Sequence, residues 1–333
     1  MKLNDHGTLL NAAEVRFVRL LPGPIERVWA FITDPAKRQL WLAGGTTATQ
    51  PGDKFQLEFE NRRHETPGET VPEKYKEHAC SIGSEATLTR HEPMSLYSFV
   101  WGGGEVIFEL TPEGEEVKLV LTHRKLPDHK ELLSVSGGWH IHLTMLVSKL
   151  TGTPQPPFWS TMEKLGNDYA ATFDLADMDP DLGFCAALYI EAPAAKVYEA
   201  LTTSEGVKGW WTETCEIGTT EGGQSTFRFD DTWKTVRIDK LAPATEVRWH
   251  CVDSSIDLED GSTSSEWIGT ECLFQLKPLS DQTTALRFQH VGLLPALDCY
   301  SDCFRGWTRF LGSLKQYVET GVGAPFKADS LHE

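Results

Sequence analysis

The chain has 333 residues, of which 40% are apolar and 24% are charged, and its net charge is −17 at pH 7. This length predicts two domains of roughly 150 residues each. Acidic residues outnumber basic residues by 48 to 31, which argues against binding to nucleic acid or to an anionic membrane because either partner requires a positive surface.

The first half of the sequence predicts a strand, two short helices, a β-meander and a long helix. The strand covers about 14–21, the first helix begins after Pro24, whose fixed φ suits a first helical turn, and the second ends near Trp41. The meander strands are predicted at Lys54–Glu60, Ala79–His91, Ser95–Trp101, Val106–Thr111 and Val117–Arg124. In the long helix, apolar residues recur at steps of three and four: Val135, Trp139, His142, Leu143, Leu146 and Leu150.

The middle of the chain belongs to neither half. Residues 157–173 predict an extra helix on the first domain, and the acidic stretch 174–182, which contains Pro180, predicts the linker. Two polar segments, about 61–78 and about 253–265, predict mobile loops at the rims of the sheets. We therefore predict a first domain over 1–173 and a second domain over 183–325.

The second half repeats the order of elements found in the first. A strand over about 184–191 leads to a helix after Pro193 and to a second helix that ends at Trp210-Trp211. Strands are predicted at Ser225–Asp230, Thr232–Leu241, Glu246–Cys251, Glu271–Lys277 and Thr284–Val291. The last helix has an apolar stripe made of Cys303, Trp307, Phe310, Leu311, Leu314 and Val318.

Four landmarks recur at a nearly constant offset and show that the two halves are copies of one unit. The pairs are Val28 and Val197 (169 apart), Phe108 and Phe274 (166), His123 and His290 (167), and Gly138-Trp139 and Gly306-Trp307 (168). Self-similarity at one spacing is the sequence signature of a repeat. The pattern predicts an α+β fold with two tandem helix-grip domains. Each is a curved antiparallel sheet wrapped on a long C-terminal helix, with two short helices after the first strand.

This pattern resembles the START-like superfamily, also called SRPBCC or Bet v 1-like. Within it, the resemblance is strongest to the family named after an activator of the heat-shock chaperone ATPase. The second copy carries the likeness through Gly209-Trp210-Trp211, Gly222-Gly223 and Gly306-Trp307. The first copy is similar through Trp41 and Gly138-Trp139. The resemblance implies a cavity between the sheet and the long helix, which in relatives holds lipids, sterols, polyketides or hormones. It carries over no catalytic residue.

Strand parity predicts the residues that face such a cavity. In each last strand, a histidine follows apolar residues on one face, and the long helix packs opposite. We expect each histidine to contact the polar end of a ligand, with core packing as the alternative. The predicted ligand-binding residues are His290, Phe288, Trp249, Trp307, Phe310 and Leu314 in the second copy, and His123, Leu121, Trp101 and Trp139 in the first. Trp101 and Trp249 are expected to end matching strands.

Three functions from different classes fit the sequence. The first is a protein that binds an apolar or aromatic small molecule. The second is a protein-interaction module that regulates a chaperone or another partner through its surface. The third is a cyclase-like or hydrolase-like enzyme that uses His290 or His123 as a base. An isolated histidine in an open cavity favours the first function, and a histidine oriented by a carboxylate favours the third.

The seven cysteines predict neither a disulfide nor a metal site. They are scattered, and Cys299 and Cys303, which could share a helix face, have no histidine at zinc-finger spacing. The N-terminal residues lack the basic segment and apolar core of a signal peptide, and no apolar run approaches the about 20 residues that span a bilayer. We therefore expect a cytoplasmic protein without a cofactor or a catalytic metal.

Overall fold

The computed structural model describes residues 5–11, 13–174, 178–258 and 261–328. The chain divides into two compact units, Met1–Ala170 and Ala171–Glu333. Part of the predicted linker, residues 175–177, lies outside the described residues. No helix in the described ranges is long and apolar enough to cross a membrane.

The first unit is an antiparallel sheet with a long helix packed on it. The strands are β1 Thr8–Asn11, β2 Glu14–Pro22, β3 Gly44–Gly45, β4 Lys54–Phe59, β5 Ile82–Glu92, β6 Leu96–Trp101, β7 Gly104–Glu113 and β8 Glu116–Arg124. Their order in the sheet is β1-β2-β8-β7-β6-β5-β4-β3. The helices are α1 Ile25–Thr33, α2 Pro35–Arg38, α3 His129–Thr151 and α4 Phe158–Thr172. The predicted strand, two short helices, meander and long helix are all present.

The second unit has the same plan. Its strands are β9 Gly183–Ile190, β10 Thr214–Glu216, β11 Gln224–Phe229, β12 Thr232–Ala242, β13 Glu246–Asp257, β14 Thr263–Ser264, β15 Glu271–Ser280 and β16 Thr283–Val291. They pair in the order β10-β11-β12-β13-β15-β16-β9, and β14 pairs with β13. The helices are α5 Ala194–Thr202, α6 Ser204–Trp210 and α7 Tyr300–Thr320. The predicted α+β helix-grip architecture is therefore confirmed in both copies.

The long helices bury the stripes that their sequences predict. All six predicted stripe residues of α3, and all six of α7, are buried. In the second unit, Trp307 on α7 contacts Phe274 on β15 and Phe288 on β16. Each helix ends at a glycine in the left-handed region, Gly152 (φ 74°) and Gly321 (φ 84°), where a side chain would add strain.

The two segments predicted as loops are more ordered than expected. In the second unit, β13 continues to Asp257, and β14 pairs back with it, because Ile256 buries its side chain and extends the alternating pattern of the strand. In the first unit, the segment 61–78 forms short 3₁₀ turns. The Glu69 carboxylate there accepts hydrogen bonds from the first amides of α4, including those of Phe158 and Trp159. Helix N-termini favour such a negative group.

Candidate functional site

A cavity of about 200 Å³ lies in the second unit between α7 and the inner face of β11–β13. Five of its twelve lining residues are aromatic, and it is open to solvent on one side. The residues that line it are Trp211, Phe229, Thr232, Lys234, Ile256, Asp257, Trp267, Asp302, Cys303, Gly306, Trp307 and Phe310. Cavities of about 150 Å³ lined by apolar groups hold a benzene molecule, so this one has room for a substituted ring.

Stacked indoles build the back wall of the cavity. Trp211, which follows α6, stacks on Trp307 with ring centroids 5.4 Å apart and on Trp249 at 5.6 Å. Trp267 stacks on the other side of Trp307 at 5.8 Å. Large aromatic side chains bury much area with few rotatable bonds, and the wall is therefore well ordered before any ligand arrives.

Lys234 is the single lysine or arginine among the residues that line this cavity. It lies on β12 with the buried residues Val236 and Ile238, and only 8% of its surface is exposed. Its Nζ lies 4.6 Å from the ring centroid of Phe229 and 4.8 Å from that of Trp267. Among the described residues, no hydrogen bond or ion pair reaches this ammonium group.

The environment of Lys234 does not offset the cost of burying its charge. A desolvated cation–π contact contributes on the order of 2 kcal/mol, whereas burial of an ammonium ion costs several kcal/mol. Burial accordingly lowers the pKa of Lys234. The ammonium group therefore has unused capacity for an acceptor placed in the cavity.

His290 lies behind the cavity wall rather than on its surface. Its Nδ1 accepts a hydrogen bond from Trp307 Nε1 (2.9 Å), so its Nε2 carries the proton and donates to Thr270 Oγ1 (2.8 Å). The Thr270 hydroxyl in turn donates to the Trp267 carbonyl. Burial lowers the pKa of His290 to about 3. The ring is neutral at pH 7, and both nitrogens are engaged within the protein.

The two halves of the chain both match one protein family. The model of the family described as "Activator of Hsp90 ATPase homolog 1-like protein" matches residues 22–151 and 191–319, which is more than half of the chain. The chain belongs to this family. The match covers both units and shows two family domains in tandem, whose plan is that of the SRPBCC type.

Solved structures with similar folds come from several sources. A solution structure of a Bordetella parapertussis protein is 45% identical, covers 51% of this chain and 91% of its own, and has a TM-score of 0.45. The Aha1 dimer from Colwellia psychrerythraea is 32% identical over 42% of this chain and 97% of its own, with a TM-score of 0.35. A protein from the dynemicin biosynthetic locus is 16% identical over 92% of this chain and 98% of its own, with a TM-score of 0.31. No curated protein matches the chain.

In the first family domain, an indole contacts the residue that corresponds to Lys234. Ser84 is the third residue of β5, and Lys234 is the third residue of β12. Ser84 pairs with Leu57 and Lys234 pairs with Phe227, and each partner lies two residues before the end of its strand. Trp101 donates to Ser84 Oγ (2.9 Å) and stacks on Phe59 (5.5 Å). In the second domain, Trp267 makes the corresponding contacts, with ring centroids 4.4 Å from His290 and 5.8 Å from Trp307, and with Lys234 Nζ at 4.8 Å.

The strand register also shows which residues correspond between the copies. Trp101 pairs with Ala86, and the equivalent pair in the second domain is Cys251 with Val236. The expectation that Trp101 and Trp249 end matching strands is therefore wrong by two residues. The second domain therefore has a small cysteine at the register position where the first has an indole.

The predicted ligand-binding residues of the second domain converge on one cluster but do not all reach the cavity. Trp307 and Phe310 line it. The rings of Phe288 and Trp307 pack with their centroids 4.3 Å apart, and Trp249 and Leu314 are buried in the core. Together with His290, these three form the layer that supports the lining residues.

The predicted residues of the first domain form a matching core cluster. His123 Nδ1 accepts from Trp139 Nε1 (3.1 Å), and Trp101 stacks on His123 at 5.9 Å. Leu121 is fully buried on the same strand. Burial lowers the pKa of His123 to about 4.

The sequence patterns missed several residues that line the cavity. Strand parity could have identified Lys234, because it lies on the same face of its strand as Val236 and Ile238, the face that points inward. Trp267 follows the acidic, serine-rich segment and was hidden by the interpretation of that segment as a mobile loop. Cys303 accepts a hydrogen bond from Trp267 Nε1 (3.0 Å), a contact between distant segments that spacing does not reveal.

A second group of ionisable residues lies on the outer face of the same sheet. Asp239, His250 and Glu271 bring their ligand-type atoms within 4.8 Å of one another. Both oxygens of Asp239 already accept hydrogen bonds from Arg237. All three are partly or largely exposed, and we interpret them as surface ion pairing rather than as a metal site.

Proposed function

We propose that the second domain binds an apolar or aromatic small molecule in the cavity between α7 and the sheet. The observation that carries this proposal is the open cavity of about 200 Å³ with Trp211, Trp267 and Trp307 in its walls. An apolar pocket with few polar groups is the usual composition of a small-molecule site. The volume matches a one-ring or compact two-ring compound.

The histidines give less support to the enzyme alternative. A general base must reach the proton that it removes. His290 is fully buried, and Trp307 and Thr270 engage its two nitrogens. No carboxylate among the described residues contacts its ring nitrogens. Binding alone therefore fits the geometry better than acid–base catalysis at His290.

The test uses the neutral ligands benzamide and 2-naphthamide with the full chain. At about 0.3 kcal/mol per non-hydrogen atom, the thirteen atoms of 2-naphthamide give about 4 kcal/mol, or a Kd of about 1 mM. Saturation-transfer NMR measures affinities in this range. We expect binding by the wild-type chain.

Two glycines on α7 supply a matched pair of variants. Gly306 lines the cavity, and a Cβ placed there meets no atom within 4 Å, so Gly306→Leu should fill the cavity without a clash. Gly312 is exposed on the same helix, and a Cβ there also meets nothing. We expect Gly306→Leu to abolish binding and Gly312→Leu to preserve it. Equal binding by both variants would refute the proposed site and favour the protein-interaction function.

A further inference from the structure

The cavity contains a buried cation without a counter-ion. Lys234 leaves 8% of its surface exposed and lines the cavity from β12. Its Nζ lies over the faces of Phe229 and Trp267, and among the described residues it forms no hydrogen bond or ion pair. Buried charged groups in proteins are normally paired with an opposite charge.

Four thiols surround Lys234, but none of them forms a hydrogen bond with its Nζ. They are Cys251, Cys272, Cys299 and Cys303. Burial raises the pKa of Cys251 to about 11 and that of Cys272 well above its usual value, so both are neutral at pH 7. The Cys303 sulfur accepts a hydrogen bond from Trp267 Nε1, and among the described residues it forms none with Lys234 Nζ. A hydrogen bond from the Cys299 thiol lowers the pKa of Cys303.

The two carboxylates that line the cavity do not neutralise Lys234 either. Asp302 is the partner of Arg305 on the next turn of α7. Asp257 is exposed at the end of β13, where solvent screens its charge. Neither lies within ion-pair distance of Lys234 Nζ. Among the described residues, the inner part of the cavity therefore has an ammonium group that no carboxylate pairs with.

We propose that the ligand of this cavity is an aromatic or apolar carboxylic acid in its ionised form, with Lys234 as the counter-ion of its carboxylate. This inference rests on the proposed function of the same cavity. The aromatic walls hold the ring, and the ammonium group receives the carboxylate oxygens as a charge-assisted hydrogen bond. Burial lowers the pKa of Lys234, and a bound carboxylate would raise it again because a nearby negative charge favours the ammonium form.

The experiment compares 2-naphthoate with 2-naphthamide, which differ in charge but hardly in shape. Saturation-transfer NMR at pH 7 measures both affinities for the full chain and for the variants Lys234→Met, Lys234→Arg and Lys240→Met. Methionine replaces the lysine with an uncharged chain of similar length, and removing an unpaired buried charge should not unfold the domain. Lys240 is an exposed lysine on the same strand and serves as the matched control.

We expect wild-type protein to bind 2-naphthoate at least 10-fold more tightly than 2-naphthamide. Lys234→Met should lower the affinity for 2-naphthoate at least 10-fold and leave the affinity for 2-naphthamide equal or higher. Lys234→Arg should keep the preference for the acid, and Lys240→Met should behave as wild type.

Two results separate this inference from the proposed function. Equal affinity of the wild type for the acid and the amide, or an unchanged acid affinity in Lys234→Met, overturns the acidic ligand while the cavity remains a binding site. The inference is also overturned if Lys234→Met changes the alkylation rate of Cys303 but not the affinity for the acid. The charge of Lys234 would then act on the Cys303 thiol rather than on a ligand. Failure of both compounds to bind refutes the proposed function itself.

Discussion

His290 and His123 occupy the same place in the two domains, and each accepts a hydrogen bond at Nδ1 from a tryptophan on the long helix. Their Nε2 atoms differ. His290 donates to Thr270, whereas His123 Nε2 has no partner among the described residues. The strand register places Gly104 where the second domain has Thr270, and a Cβ at Gly104 would lie 2.5 Å from that nitrogen.

The comparison teaches that the histidine–tryptophan pair belongs to the shared core and does not mark a ligand site. Both domains have the pair, and an indole contacts it in each: Trp101 in the first domain, and Trp267, from a different segment, in the second. At the register position of Trp101, the second domain has the thiol Cys251. The experiments below alter these differences one at a time.

The largest expected difference is in the response to acid. Among the histidines of the described residues, burial lowers the pKa of His64, His123 and His142 in the first domain, and of His290 in the second, to about 3 or 4. A folded pKa below the unfolded value of about 6.5 means that the unfolded chain binds the proton first. Stability is therefore complete above about pH 6.5 and falls as the pH drops towards the folded values.

Between pH 7 and pH 5, each such histidine should cost about 2 kcal/mol of unfolding free energy. The first domain should lose about 6 kcal/mol and the second about 2 kcal/mol on this basis. Hydrogen exchange on the full chain, resolved by peptide and corrected for intrinsic rates, measures both. His64→Gln should remove about a third of the effect in the first domain. Equal losses in the two domains would contradict the assignment of three neutral histidines to the first.

Independent folding of 1–173 and 183–325, joined by 174–182, remains a prediction that the same data test.

The next effect follows from exchanging Trp101 and Cys251, which lie at equivalent register positions in the two domains. Trp101→Cys should destabilise the first domain by about 2–4 kcal/mol, below the full cost of removing a buried indole because Trp101 is half-buried. Cys251→Trp should cost the second domain about 1–3 kcal/mol through overpacking and should abolish binding of 2-naphthamide.

Urea unfolding and saturation-transfer NMR measure these two outcomes. Trp233→Cys is the matched control, since Trp233 is a half-buried indole on β12 next to Lys234 but does not line the cavity. Retention of ligand binding by Cys251→Trp would show that Cys251 does not leave the cavity open.

The smallest effect concerns the second nitrogen of the histidine. Thr270→Val keeps the shape of the side chain but removes the acceptor of His290 Nε2, so it should cost about 1–3 kcal/mol, the penalty for an unsatisfied buried donor. Thr263→Val, an exposed change on β14, should cost less than about 0.5 kcal/mol. Urea unfolding compares the two. Equal stability of both variants would show that His290 does not need Thr270.

Much of the architecture was predictable from the sequence. The offsets of 166 to 169 residues showed the repeat, and the period of three and four in Cys303, Trp307, Phe310 and Leu314 predicted the buried face of α7. These signals are local or repeated. Burial of an apolar stripe is a property that each helix carries in its own sequence.

The tertiary structure alone shows where the second domain has a cavity and what lines it. Strand parity places Lys234 and His290 on inward faces, but it does not tell which side chains meet across distant strands. His290 forms hydrogen bonds with Thr270 and Trp307, and the bulge between Ile238 and Lys240 sets Cys251, rather than Val252, opposite Val236. Cavity volume depends on how side chains from five or more segments fill one space, and packing of this kind is a sum over long-range contacts that no single stretch of sequence contains.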